Sequence, residues 1–484
     1  MTMNINYISR NVGLALVFNA AFMFLSVLVS LIYGRDSSFS PLLLSGVITL
    51  AVGCFPLLFV RRGGQVTAKE GFFTIVCTWF LVCIFGAFPY VLWGENFSVI
   101  NAWFESVSGY TTTGSTILDD IEALPKGLLF WRTSTHYIGG LGVVVFMILI
   151  LPNSRGTFGL RLSTLEMGTL SKENYRFKVT ETAKIILGIY VGITILQTIC
   201  LTIAGVNFFD ALNHSMSIAA TGGFSTKNAS AAAFNSPTVE IIMMVFMYIA
   251  GLHFGLIHLA LFNKTFKLFR DPVIKYYSII LLCAIVFTTI NLVSQGTEHN
   301  VFTALRHASF MNLSAASTTG FANAESQHWP VFSLLLLFFL AFQGACSGST
   351  TGGAKSDRMC MIFSTLRSRI KRQLNMNAIV RPRMGNRIIS QEETGEATLF
   401  IVFFILLMFI GSVCLALTGL DLQTALTTSL ASVANTGLTF GSISSFGSYN
   451  DFPIVSKLIF TIEMFLGRLE IYPVIAFLVI RKWK

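Results

Sequence analysis

The sequence predicts an all-α integral membrane protein with ten transmembrane spans. An N-terminal two-helix hairpin precedes four related units of helix, pore loop and helix, set around a pseudo-fourfold axis. Three observations predict this. Of 484 residues 54% are hydrophobic and only 12% charged, about half the charged share of an average soluble domain. Apolar stretches long enough to cross the hydrocarbon core, which takes about 20 residues, recur from end to end. A Thr-Gly dipeptide returns at four matching places between them.

The apolar stretches are residues 11–33, 41–60, 71–93, 128–151, 182–204, 238–262, 274–294, 330–367 with an interruption, 397–418 and 453–480. The first is longer than the apolar region of a signal peptide, and no small-residue cleavage site follows Tyr33, so it reads as a retained span. Spans 1 and 2 stand outside the repeat and form a hairpin, residues 1–69. The units follow at 70–152, 178–263, 273–368 and 394–484, with pore loops at 101–116, 209–226, 300–322 and 421–441.

A formal net charge of +10 raises nucleic acid as a partner, and the placement of the charges removes it. Basic residues cluster on every second connection: Arg61, Arg62 and Lys69, then residues 155–178, then Lys264 and Lys275, then residues 358–387. The alternate loops carry Asp36, Glu95, Asp119, Asp120, Asp210, Glu298, Asp421 and Asp451. This is the positive-inside pattern, with both termini cytoplasmic and a lipid membrane as the partner of the basic loops. The eight Cys form no C-x-x-C pair and the His no H-E-x-x-H. His253 and His258, five apart, do not share a helix face. Metal, disulfide and enzymatic readings therefore lack a motif.

Between spans 3 and 4, 5 and 6, 7 and 8, and 9 and 10 lies a semi-polar segment too short to cross. Asn101, Asp210, Asn300 and Asp421 are suited to cap its start. The four segments end WFESVSGYTTTG, ALNHSMSIAATG, SFMNLSAASTTG and LTTSLASVANTG, which makes Thr113-Gly114, Thr221-Gly222, Thr319-Gly320 and Thr436-Gly437 equivalent. The glycines are roughly one hundred residues apart, an internal repeat. The same dipeptide at 351–352, 394–395 and 418–419 lacks this setting. Non-helical backbone at membrane depth is tolerated where it lines water or is buried in protein. Four Thr-Gly strips around one axis could turn their carbonyls inward and replace the hydration shell of a cation, as K⁺ filters do. The short helices point their C-termini at the same place, each carrying roughly half a negative charge, so no ring of acidic side chains is needed.

On these residues the chain resembles the Trk/Ktr/HKT superfamily of K⁺ transporters, specifically its TrkH branch with an extra N-terminal hairpin, from Val12 to the C-terminus. The resemblance implies a K⁺ channel-like pore whose four subunits are fused, in a bacterial inner membrane. It implies a K⁺-binding filter of Thr111, Thr112, Thr113, Gly114, Ala220, Thr221, Gly222, Thr318, Thr319, Gly320, Asn435, Thr436 and Gly437. Relatives with Ser at the first of these glycines tend to conduct Na⁺, and Gly114, Gly222, Gly320 and Gly437 complete the K⁺-type set. Ala220 and Asn435 stand where Thr112 and Thr318 do, so the four strips are not identical.

Span 8 breaks at GACSGSTTGGAKSD, residues 344–357. Its small and polar residues read either as a flexible intramembrane loop or as a kink packed by neighbours. Lys355 is one residue out of register for a phosphate-binding loop, and no strand precedes it. Arg468 lies in the last span with Glu463 and Glu470, and a central membrane Arg must face protein or water or pair locally. The family resemblance implies a gate made of Arg468 with Gly344, Ala345, Cys346, Ser347, Gly348, Ser349, Thr350, Thr351, Gly352 and Gly353. It also implies a homodimer and a cytoplasmic ring of nucleotide-binding regulatory subunits. K⁺ is then the transported ion, and the chain itself binds no cofactor. A K⁺/H⁺ or K⁺/Na⁺ symporter on the same scaffold is the alternative, distinguished by reversal potentials under Na⁺ and pH gradients.

Overall fold

A computed structural model describes residues 4–61, 68–95, 97–150, 179–262, 267–375, 380–439, 443 and 445–469. The expectations for Arg62, the basic residues of 155–178, Lys264, residues 440–441, and the last span beyond Leu469 with Glu470 lie outside these residues.

Two long apolar helices open the chain, α1 (Ile5–Ile32) and α2 (Phe39–Phe59). They cross at small residues. A Cβ on Gly13 would meet Gly53 O at 2.6 Å and one on Gly53 would meet Gly13 O at 3.0 Å, the close approach by which helices associate where lipid removes the hydrophobic drive. Their connecting turn is tied by Asp36. Its Oδ1 accepts from Ser30 Oγ at 2.6 Å and Ser38 N at 3.1 Å, and its Oδ2 from Gly127 N at 2.9 Å. The last bond docks the hairpin onto α5 (Lys126–Ile150), which α1 packs along.

Then come α3 (Ala68–Trp93), α4 (Val99–Tyr110), α5, α6 (Val179–Ile203), α7 (Phe208–Ala219), a 3-10 turn (Ser230–Phe234), α8 (Pro237–Ala250), α9 (Phe254–Phe262) and α10 (Lys267–Arg270). The remainder is α11 (Pro272–Ser294), α12 (Val301–Ala316), α13 (Val331–Gln343), α14 (Ser356–Leu374), a hairpin of β1 (Arg383–Met384) and β2 (Arg387–Ile388), α15 (Gln391–Leu417), α16 (Leu422–Val433) and α17 (Ile454–Arg468). The antiparallel hairpin pairs Arg383 with Ile388 across a turn at Gly385, φ +59°; no repeat or hydropathy signal foretold it. Six described helices are long and apolar enough to cross a membrane, α1, α2, α3, α6, α11 and α15, and a seventh crossing arises if α8 and α9 count as one. Phe55, Phe80, Ile195, Leu282 and Phe409 stand exposed on these helices, a surface suited to lipid and a liability in water.

Two sequence expectations are corrected. Residues 238–262 do not form one straight span: α8 and α9 meet at 102° across Gly251–His253, where Gly251 caps α8. Two of the four caps also lie three residues earlier than expected. Ser98 accepts from Asn101 N and Asn207 from Asp210 N, whereas Asn300 and Asp421 cap as read. Asn101 and Asp210 fall at the third helical position, where a polar residue is equally at home.

The helices α4, α7, α12 and α16 have 12, 12, 16 and 12 residues, too short to cross the membrane at 1.5 Å per residue. Each packs against the helix before it and the helix after it. Each following helix also packs on the next short one: α5 on α7, α8 on α12, α13 on α16, and α17 back on α4. The order of these contacts closes on itself.

A candidate ion filter and the loop beneath it

Each short helix ends in the same way. Its C-cap, Thr111, Ala220, Ser317 or Ala434, keeps φ of −75°, −78°, −84° or −80°. The next residue turns left-handed: Thr112 at φ +55°, Thr221 at +54°, Thr318 at +50° and Asn435 at +52°. The amide after it returns to the helix at 2.9 Å in all four, from Thr113 N to Ser108 O, Gly222 N to Ser217 O, Thr319 N to Ser314 O and Thr436 N to Ala431 O. This is the Schellman closure, whose left-handed position normally takes Gly. A β-branched Thr there costs about 1–2 kcal/mol, strain of the kind kept at functional sites.

Two residues after that position the backbone turns left-handed again, at Gly114, Gly223, Gly320 and Gly437, with φ +85°, +86°, +85° and +68°. The second strip is therefore one residue out of the register the Thr-Gly dipeptides suggest. Gly223, not Gly222, matches Gly114, and Gly222 matches Thr113. Thr221-Gly222 misleads because this strip alone ends in Gly-Gly. The serines Ser108, Ser217 and Ser314, each six residues before the structural glycine, are the signal that would have set the register.

The four strips touch in a closed cycle. A Cβ on Gly114 would run into Gly222 O, on Gly223 into Thr319 O, on Gly320 into Thr436 O and on Gly437 into Thr113 O. So the carbonyls of Thr113, Gly222, Thr319 and Thr436 each face the glycine of a neighbouring strip, and the contacts run from strip to strip until they return to the first. Side chains brace them: Thr111 and Thr113 hydroxyls meet at 2.8 Å, Ser317 and Thr319 at 2.7 Å, and Asn435 Nδ2 donates to Thr113 Oγ1 at 3.0 Å. Neutral oxygen donors in a ring suit a cation that sheds its water. Among the described residues no group of three or more His, Cys, Asp or Glu could hold a metal ion.

The interruption after α13 forms a non-helical loop from Gly344, φ +64°, to the start of α14 at Ser356. The loop presses on the short-helix C-termini. Thr350 Oγ1 donates to Ala219 O at 3.0 Å, Gly353 N to Ala434 O at 3.1 Å and Gly352 N to Thr318 Oγ1 at 2.8 Å. Its other flank docks on the α8–α9 bend. Cys346 N donates to Gly251 O and Phe254 N to Gly348 O, both at 3.1 Å, with Ala345 against Gly251. Ser347 N donates to Asp357 Oδ2 at 2.5 Å, Ser349 Oγ to Cys346 O at 2.6 Å, and Lys355 Nζ to Thr351 O. Sequence reading missed the bend as the loop's partner, although Gly251 and His253 inside an apolar stretch mark it.

Arg468, the last residue of α17, donates from Nη1 to Thr350 O at 2.8 Å and from Nη2 to Gly139 O at 3.0 Å. It thus ties the loop to α5. Glu463 instead accepts from Ser429 Oγ.

Known proteins resemble the chain along its whole length. The chain is 33% identical over 487 residues to the Trk system potassium uptake protein TrkH of Salmonella typhimurium, covering 100% of both chains. To the Trk system potassium uptake protein TrkG of Escherichia coli it is 32% identical over 461 residues, 93% of this chain and 92% of the relative. The crystal structure of the potassium transporter TrkH from Vibrio parahaemolyticus superposes with a TM-score of 0.89 at 29% identity, covering 100% of each. With residues 41–482 matching the TrkH family, described as cation transport protein, the chain belongs to the TrkH family of multi-pass membrane cation transporters.

Proposed function

We propose that this chain takes up K⁺ through one gated, channel-like pore whose selectivity filter is the carbonyl ring, driven by the membrane potential. The observation that carries this reading is the closed cycle of strips, in which each carbonyl of Thr113, Gly222, Thr319 and Thr436 abuts the glycine of the next strip. Relatives along the whole chain bear the name potassium uptake protein. A potential of 100 mV is worth about 2.3 kcal/mol per charge, enough for roughly fiftyfold accumulation without a coupling ion. The filter is Thr111, Thr112, Thr113 and Gly114, with Ala220, Thr221, Gly222 and, from the structural register, Gly223. Thr318, Thr319, Gly320, Asn435, Thr436 and Gly437 complete it.

The finer architecture is part of the proposal: four units at 70–152, 178–263, 273–368 and 394–484 behind the hairpin of 1–69, in an inner membrane with both termini cytoplasmic. Ten spans result if α8 with α9, and α13 with α14, each make one crossing. The gate is Arg468 with the loop of residues 344–353, supported by the loop's bonds to the short-helix ends and by the bond from Arg468 to Thr350. The partners are a second copy of the chain and a cytoplasmic ring of nucleotide-binding regulatory subunits.

The experiment is ion flux in proteoliposomes of the purified chain. K⁺ influx that follows an imposed potential, exceeds Na⁺ influx and is insensitive to pH and Na⁺ gradients supports the proposal; influx that requires such a gradient favours symport. Unchanged flux and gating in both Arg468→Ala and a deletion within 344–353 removes the gate. A monomeric mass in lipid, or no nucleotide-dependent copurification with a regulatory ring, removes the corresponding partner.

A further inference from the structure

An ion pair lies between the first two strips, outside the filter itself. Glu105 on α4 and Arg132 on α5 have side-chain exposures of 0% and 2%, and Arg132 Nε donates to Glu105 Oε1 at 2.5 Å. Glu105 also accepts from Thr116 Oγ1 at 2.9 and 3.1 Å and from Ile117 N at 3.0 Å. It thereby grips the first strip just beyond Gly114. Arg132 Nη1 donates to Ser225 O at 2.9 Å, and the guanidinium stands 3.6 Å from the centre of the Phe224 ring. Those residues lie just beyond Gly223. Thr116 and Ser225 are each two residues past the structural glycine of their strip, so the pair joins matching steps of neighbouring strips. One turn along α5, His136 stacks on Phe224 at 3.9 Å and fills the space behind Gly222.

We propose that Glu105 and Arg132 are positioning residues for ion selection: a buried strut that holds strips one and two at the separation a K⁺ ion needs. The inference rests on the pore reading above. Where selectivity comes from the size of the carbonyl cage, a ring favours K⁺ over the smaller Na⁺ while its oxygens are kept from closing inward or drifting apart. The forked guanidinium can serve the carboxylate and the Ser225 carbonyl at once, which a Lys ammonium at the end of its flexible stem does not reproduce.

A pair serving stability alone behaves differently. Buried ion pairs can be replaced by uncharged side chains of similar volume without loss of the fold, whereas removing one partner strands a charge. The test is therefore the double variant Glu105→Gln/Arg132→Met, with Arg132→Lys beside it, reconstituted as full chains. The readout is the K⁺/Na⁺ permeability ratio from bi-ionic reversal potentials, with melting temperature measured in parallel. The expected result is a ratio lowered about tenfold or more in the double variant and by less in Arg132→Lys. A double variant that melts like the wild type and keeps its ratio overturns the inference. Should the double variant not fold, Arg132→Lys decides, and an unmoved ratio there overturns it. A wild type that does not itself prefer K⁺ overturns the pore reading, and this inference with it; a selective wild type with unmoved variants overturns this inference alone.

Discussion

Replacing Gly114 by Ser strikes the carbonyl ring where it is tightest. The residue holds φ +85°, and a side chain in that region costs about 1–2 kcal/mol. Its Cβ would run into Gly222 O and stand 3.2 Å from Gly222 C and 3.5 Å from Gly223 Cα. These are backbone atoms, so no rotamer change relieves the contact, and the first two strips must separate by roughly 1 Å to regain ordinary packing distances. A tenfold change in relative affinity needs only about 1.4 kcal/mol. The K⁺/Na⁺ permeability ratio is therefore expected to fall about 10- to 100-fold in bi-ionic reversal-potential measurements. Gly114→Ala adds the same Cβ at the same φ and is expected to do the same. Selectivity kept in Ala and lost in Ser would assign the effect to the hydroxyl and refute the steric argument. Selectivity kept in both would refute the ring.

The register of the second strip makes a separate claim. A Cβ on Gly223 meets Thr319 backbone, whereas one on Gly222 meets the His136 ring. His136→Ser is thus expected to restore selectivity to Gly222→Ala and not to Gly223→Ala, and the opposite pattern in the same flux assay would return the register to the Thr-Gly alignment. Gly395→Ala, on an exposed helix face with nothing within 4 Å of its Cβ, is expected to raise stability by up to about 1 kcal/mol and leave flux alone; a loss of flux would mean that Thr-Gly dipeptides matter outside the strips. Asp36 is the pH-dependent case. Burial alone would raise its pKa, yet bonds from Ser30, Ser38 and Gly127 outweigh this and hold the carboxyl below its usual value. A depressed native pKa gives stability that is present above pH about 4 and lost as pH falls through the native value. Asp36→Asn should then lower the melting temperature at neutral pH, by about 1 kcal/mol in stability, and the gap to wild type should close in acid; a gap that persists there contradicts the assignment.

The features legible in the sequence were those written locally. The short segments between apolar stretches, the break after Gln343 and the arginine within an apolar stretch at Arg468 all depend on neighbours along the chain, and the structure has short helices, a loop and a loop-binding arginine there. The Asn300 and Asp421 caps were likewise readable. What escaped depends on contacts across the fold. Arg468 meets carbonyls of Thr350 and Gly139, 118 and 329 residues away, and the chain around it carries no sign of either. Glu105 and Arg132 come from different helices 27 residues apart, and neither residue type is unusual on its own. The Gly251 bend sits in a stretch whose hydropathy alone reads as a single span. The second strip failed for a different reason: Gly222-Gly223 offers two registers, and the choice rests on Ser217, six residues before Gly223, and on the helix C-cap at Ala220.

The carbonyl ring is a filter only if a dehydrated cation rests among its four oxygens. An anomalous difference map from crystals of this protein grown in Rb⁺ in place of K⁺ measures that. A peak on the axis, within coordination distance of the Thr113, Gly222, Thr319 and Thr436 oxygens together, is the expected result. Rb⁺ bound only elsewhere, with that space empty, would contradict it.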